Sequence, residues 1–410
     1  MSQFFDQASL VMVPSGYKTG KVYSQKPLSA DGELTFTRAS TATRVNASGL
    51  IEEVASGVPR LDYSGGASCP SLLLEPQRTN SALFSEQFDT ADWTKGAGTI
   101  TANNAVAPDG YQNADLFTAD GTNTQHFILA SQTTGAKTIS FFVKMGTQRY
   151  VQILSSGTVN TLANYDLQTG AVGGLGSTST ASMVDYGNGW WRIILTSTDA
   201  ATGNIYLCFA DSLTAVRYPS IASSGTIWIW GGMVELNATH ATSYISTQGS
   251  AVTRLADAAY KTGISSLIGS EAGTIYLEAS ALADDLSERR IALTDGSTSN
   301  VVRVGFTNVS NRIIAVLYNG TNQCVLTYSD ADITQTNKIA FTWSANDFAL
   351  FVNGVKRSSD VFGTTFAANT LTRLGFDRGA GAGDEAYGNF DQVLLFKSRL
   401  SDSDLATLTA

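Results

Sequence analysis

The chain has only two histidines in 410 residues, His126 and His240, and neither has a cysteine or carboxylate at ligand-like spacing. A Ser-His-Asp site would have to be built on one of them, and no GxSxG, HExxH or P-loop string occurs. Cysteine is almost as scarce. Cys69, Cys208 and Cys324 stand far apart with no CxxC spacing, which argues against a disulfide framework or a zinc site and for separate free thiols. Charge is thin as well, at 15% of residues, with 26 basic against 35 acidic groups and a net charge of -9. Nucleic acid is therefore a poor partner, because phosphate neutralisation by clustered Lys and Arg supplies most of that affinity. No apolar run approaches the roughly 18 residues of a membrane-spanning helix. The opening MSQFFDQASLVMVPSG carries Asp6 and lacks the residue order of a signal peptide. The expectation is a protein made in a cytoplasm, without membrane insertion and without a cofactor.

Gly, Ser, Thr, Ala and Asn are abundant, with hydrophobicity of the ordinary globular kind, so a disordered chain is not expected. The length predicts several domains, since single cores rarely exceed roughly 250–300 residues. Short apolar, aromatic-bearing runs separated by Gly, Asn, Asp and Thr clusters predict an all-β fold: two tandem antiparallel β-sandwiches (jelly rolls) preceded by a loop-rich region. Residues 1–82 hold scattered strand-like pieces at Ser9–Val13, Leu34–Thr37 and Ser71–Leu74, the last stopped by Glu75-Pro76 because Pro cannot donate to a ladder. Too loop-rich to bury a core alone, this stretch is read as an attachment region packed on a neighbouring subunit or another protein.

A first sandwich is predicted over 83–245, with strands such as Thr138–Lys144, Trp190–Thr196 and Thr226–Leu236. In the last, Ile227 and Ile229 point to one face and Trp228 and Trp230 to the other, so the strand is central or one of its faces is covered. Residues 246–257 read as a linker and 258–410 as the second sandwich. There Asn353-Gly354 suits a tight hairpin turn, and Ser401 can cap a short closing helix.

Several strings resemble recurring phrases of bacteriophage head or tail fibre and spike proteins: TFTRASTATRVNASGLIEE (Thr35–Glu53), LLLEPQRTN leading into a carbohydrate-binding-like jelly roll, DYGNGWW (Asp185–Trp191), and the Ser-Tyr-Ile and Val-Thr-Arg segments after it. KIAFTWSANDFALFVNGVK (Lys338–Lys356) and GNFDQVLLFKSRLSDSDLATL (Gly388–Leu408) resemble a laminin G-like, concanavalin A-like domain. The resemblance implies a virion-surface protein, attached through 1–82 to other virion proteins and oligomeric, most simply as a trimer, that adheres to host-surface or environmental glycans without cleaving them. The alternatives are a purely structural decoration or fibre connector, and a polysaccharide-depolymerising glycosidase.

Sugar binding needs an aromatic platform with polar groups beside it. The candidates are Trp93, Tyr111, Tyr186, Trp190 and Trp191 in the first sandwich and Asp377, Arg378 and Tyr387 in the second. The Gly- and Ala-rich Asp377–Asn389 loop could place Asp377, Asp384 and Glu385 around a calcium ion, which takes several oxygen ligands. Glycoside hydrolysis needs two carboxylates. None alternate along a strand, and Glu278 stands alone on its own.

Overall fold

In the computed structural model, which describes residues 2–381 and 383–410, the chain is almost entirely antiparallel β-structure. Two sheets form the larger sandwich. The nine-stranded sheet runs in the order Tyr17–Lys18, Lys21–Val22, Leu34–Thr37, Ala258–Thr262, Arg373–Gly375, Arg289–Thr294, Asn300–Phe306, Arg312–Asn319, Asn322–Ser329. The eight-stranded sheet runs Val355–Asp360, Asp347–Val352, Asn337–Ser344, Gly273–Ala281, Gly388–Phe396, Ser71–Leu74, Arg60–Asp62, with Leu10–Met12 also paired to Gly388–Phe396.

The amino-terminal region is therefore not a separate body. Leu10, Met12, Val22, Leu34, Phe36, Leu61, Leu72 and Leu74 lie in one core with Ile275, Val302, Phe341 and Trp343. Its apolar surface is indeed too small for a core of its own, but the complement comes from the far end of the same chain, whose two sheets its strands extend.

The jelly roll is an insert in this sandwich. Its six-stranded sheet (Trp93–Gly96, Phe127–Ala130, Ile205–Ala210, Tyr150–Ser155, Leu162–Asp166, Ala171–Gly173) faces a second sheet. That sheet runs Gly98–Ala105, Ala114–Ala119, Thr226–Leu236, Lys137–Met145, Trp190–Ser197, Ser179–Asp185. Between them pack Phe88, Trp93, Phe117, Phe141, Tyr165 and Phe209. The strand Thr226–Leu236 is central, and its outer face is covered too: Trp230 packs with Phe142, Tyr244 and Ile51, the last from the hairpin Ala42–Val45 and Ile51–Val54.

The stretch read as a linker is ordered structure. Val252–Arg254 pairs antiparallel with Arg78–Asn80, so the entering and leaving chains of the insert form a two-stranded neck. Local signals behave as their chemistry requires. Asn353 and Gly354 take φ of 50° and 79° in the hairpin turn. Ser401 accepts from Asp404 N at 3.1 Å at the start of the helix Asp402–Leu408. Cys69, Cys208 and Cys324 are unpaired, and among the described residues no helix is long and apolar enough to cross a membrane.

Candidate functional site

Period-two alternation divides the six-stranded sheet. Ile128, Leu207, Ile153 and Ala163 face the core, while Phe127, Tyr206, Gln152 and Asn164 face outward. On that outer face Phe127, Tyr206 and Tyr218 form a half-buried aromatic patch with ring centroids 5.3–5.5 Å apart. A side chain at Gly96 would run into the Phe127 ring, so glycine there lets the ring lie along the sheet.

Tyr218 has φ of 55° immediately before Pro219, a left-handed conformation uncommon for a bulky residue. A chain of buried amides holds it. Tyr218 N donates to Gln152 Oε1 at 2.8 Å, Gln152 Nε2 donates to Asn164 Oδ1 at 2.7 Å, and Asn164 Nδ2 donates to Ala215 O at 3.0 Å. Burial pushes the Tyr218 hydroxyl above its ordinary range. None of the trio was singled out from sequence, because three distant segments supply it.

The aromatics chosen from sequence are dispersed. Trp93 and Trp190 are buried, with their indole N–H groups donating to Phe84 O at 2.7 Å and Val106 O at 3.1 Å. Trp191 packs against the jelly-roll core and donates to Leu167 O at 3.0 Å. These three are structural, since indole rings whose N–H groups find backbone carbonyls are satisfied where they are. Tyr186 stacks edge-on against Phe142 at 4.8 Å and lines a cleft of about 710 Å³ beside Leu50, Gly65 and Asn188. Tyr111 stands exposed on its loop, and the missed Trp228 is half-buried with its Nε1 donating to Asn104 Oδ1 at 3.0 Å.

In the Asp377–Asn389 loop, of which Ala382 lies outside the described residues, the three carboxylates read as calcium candidates have separate partners. Asp377 is buried against Arg373, whose Nη1 donates at 2.9 Å, and it also accepts from Gly379 N at 2.7 Å. Glu385 accepts from Gly383 N at 3.1 Å, and Asp384 lies 3.9 Å from Arg378. No group of three or more His, Cys, Asp or Glu is placed to hold a metal among the described residues. Burial pushes the Tyr387 hydroxyl up to about 12. The surroundings of this loop are instead rich in arginine.

The phrases Thr37-Arg38, Leu74-Glu75-Pro76 and Val252-Thr253-Arg254 meet in one buried cluster at the neck. Arg60 pairs with both Glu75 and Asp257. Arg38 Nη1 donates to Asp257 at 3.1 Å, Arg254 Nη1 lies 2.8 Å from Glu75, and Ser243 of the insert donates its N–H to Glu75 at 2.7 Å. Burial alone would raise the Glu75 carboxyl, but the charges of Arg254 and Arg60 outweigh it and hold it well below the usual carboxylate range. These motifs tie the two sandwiches together.

Structure also gives Glu278 a companion that was not visible before. Asp391 occupies a bulge in Gly388–Phe396 beside Glu278, whose partner across the strands is Gln392, and both acids line a cleft of about 650 Å³. Burial, and then the charge of Glu278, pushes the Asp391 carboxyl up. The histidines do not approach this cleft. His126 is fully buried with its ring nitrogens 2.7–3.1 Å from three backbone carbonyls, and His240 lies 3.5 Å from Asp285 at the junction of the sandwiches.

Residues 256–406 match the family described as the concanavalin A-like lectin/glucanases superfamily. No curated protein matches the chain. Among solved structures, the chain is similar to the carbohydrate-binding module CBM40 of the Ruminococcus gnavus IT-sialidase bound to α2,3-sialyllactose, at 17% identity over 34% of this chain and 83% of that one, with a TM-score of 0.30. It is similar to the K499G mutant of the Streptococcus pneumoniae NanB sialidase at 17% identity, over 36% of this chain and 26% of that one, TM-score 0.30. It is also similar to the binding domain of botulinum neurotoxin serotype G at 13% identity, over 37% and 39% of the two chains, TM-score 0.27. Likeness at this level assigns no site residue.

Proposed function

We propose that the protein is a non-catalytic glycan adhesin whose binding surface is the outer face of the six-stranded jelly-roll sheet. The observation that carries this reading is the half-exposed trio Phe127, Tyr206 and Tyr218, with Tyr218 held at φ 55° by the Gln152 amide. Aromatic faces stack on the apolar face of a pyranose while hydroxyls and amides at the rim meet its polar groups. Strain of about 1–3 kcal/mol at a non-glycine residue persists only where its surroundings over-determine it, and such positions gather at ligand sites. Display on a bacteriophage head or tail fibre or spike, as a homotrimer bound to other virion proteins, is the setting the fibre-like phrases imply. Repeated copies there raise effective concentration for a weak single site.

The test is retention of the purified protein on capsular or surface polysaccharide. The Tyr206→Ala and Tyr218→Asn variants should each lose about tenfold in affinity, since an aromatic contact contributes about 0.5–1.5 kcal/mol beyond its buried area. Unchanged retention in the double variant removes this surface from function. A parent protein retained on no polymer leaves the inert spacer.

One observation favours a second reading, a glycosidase at Glu278 and Asp391. Both acids line one cleft, and glycoside hydrolysis needs two carboxyl groups flanking the scissile bond, of which the raised Asp391 would serve as the acid. The cleft offers no aromatic or arginine side chain to hold a sugar, which is why adhesion is preferred. New reducing ends that vanish in Glu278→Gln and Asp391→Asn would reverse that preference.

A further inference from the structure

The outer face of the nine-stranded sheet carries a group of arginines in a chain whose net charge is -9. Arg303, on Asn300–Phe306, lies opposite Ala292 and Val316 on the neighbouring strands. Arg290 and Arg378 lie near it, Arg312 lies near Arg290, and the opposing carboxylates are Glu288 and Asp384. Two of these arginines are committed. Arg290 donates to Phe306 O and lies 3.2 Å from Glu288, and Arg312 Nε donates to Thr307 Oγ1 at 3.1 Å. Arg303 is different: its Nε is buried without a hydrogen-bond partner among the described residues. Arg378 is half-exposed, with its nearest carboxylate oxygen 3.9 Å away. Beside Arg303 runs a half-buried strip, Ile314, Val316 and Tyr318, continued by exposed Val325 on the next strand.

We propose that Arg303, supported by Arg378, is the carboxylate clamp of a second binding site that takes a carboxylated sugar, with Val316 and Tyr318 as the floor for its ring. A guanidinium fork matches a carboxylate bidentately, and the apolar strip suits the C–H face of a pyranose. Glu288 and Asp384 offset part of the arginine charge, so the site suits a single carboxylate better than the closely spaced phosphates of a nucleic acid. This site lies on the other sandwich from the aromatic trio and stands independently of it.

The test is titration of the full chain with glucuronic acid, N-acetylneuraminic acid, glucose and acetate, followed by NMR of the arginine Nε–H signals. Both acidic sugars should bind at least tenfold more tightly than glucose and than acetate, and more weakly as salt rises. Arg303→Ala should abolish that preference, Arg303→Lys should restore only part of it, and Asp384→Asn should tighten binding several-fold by removing a competing carboxylate. Asn tolerates the φ of 50° at that position, so misfolding is not a concern there. Equal binding of glucose or acetate, survival of the preference in Arg303→Ala, or weaker binding in Asp384→Asn would overturn the proposal.

Discussion

At the scale of single residues, the neck cluster shows why certain short phrases stand out in this chain. Arg38, Arg60 and Arg254 share two buried carboxylates, Glu75 and Asp257. Each phrase looks like an unremarkable polar string until its partners, up to 219 residues away, are placed beside it. Removing one partner leaves a buried charge uncompensated, at a cost of about 3–5 kcal/mol, so Glu75→Gln should lower stability by that order in chemical denaturation. The pH dependence has a definite sign. Folded Glu75 titrates below its unfolded value, so its contribution is complete above the ordinary carboxylate range. It is lost as pH falls through that range toward the folded value, because the unfolded chain binds the proton first. The stability gap between parent and Glu75→Gln should therefore narrow on acidification below about pH 4.5, and a gap constant with pH would contradict the assigned charge state.

At the scale of elements, local chemistry was legible and partnership was not. The Asn353-Gly354 turn, the Ser401 cap and the end of Ser71–Leu74 before Pro76 each depend on a few adjacent residues. The pairing of Ser71–Leu74 with Gly388–Phe396 joins residues more than 300 apart, and no periodicity within either strand names the other. The same distance hid the candidate site. Phe127 and Tyr206 lie on separate strands, and Tyr218 arrives on a loop, whereas Trp190-Trp191 drew notice as adjacent letters and proved to be packing. The element arrangement reverses two expectations made from sequence. A fragment 83–410 should fail to form its carboxy-terminal sandwich, because it lacks Leu34–Thr37, Ser71–Leu74 and Leu10–Met12. A fragment 78–254 should fold, since it holds the whole jelly-roll core and both neck strands. Circular dichroism and amide exchange of the two fragments check this, and limited proteolysis should spare 246–257, where Arg254 and Asp257 are buried.

At the scale of the whole molecule, one sandwich is assembled from both ends of the chain and the other from its middle, with separate principal cores. Two separate cores need not melt together even where buried contacts join them, so two-state behaviour is not expected of the full chain. Calorimetry should show two transitions, one coinciding with that of fragment 78–254. This asymmetry lets ligand binding report its own location, because a ligand stabilises the unit that holds it by RT ln(1 + [L]/Kd), about 2.7 kcal/mol at a hundredfold excess over Kd. In a unit of 150–250 residues each kcal/mol moves the midpoint by about 2–4 °C, so shifts of several degrees are measurable. An acidic sugar bound at Arg303 should raise only the transition absent from the isolated jelly roll. An oligosaccharide retained by Tyr206 and Tyr218 should raise only the transition the two samples share. If both ligands move the same transition, one of the two binding surfaces has been assigned to the wrong sandwich, and the variants Arg303→Ala and Tyr218→Asn identify which by the shift each removes.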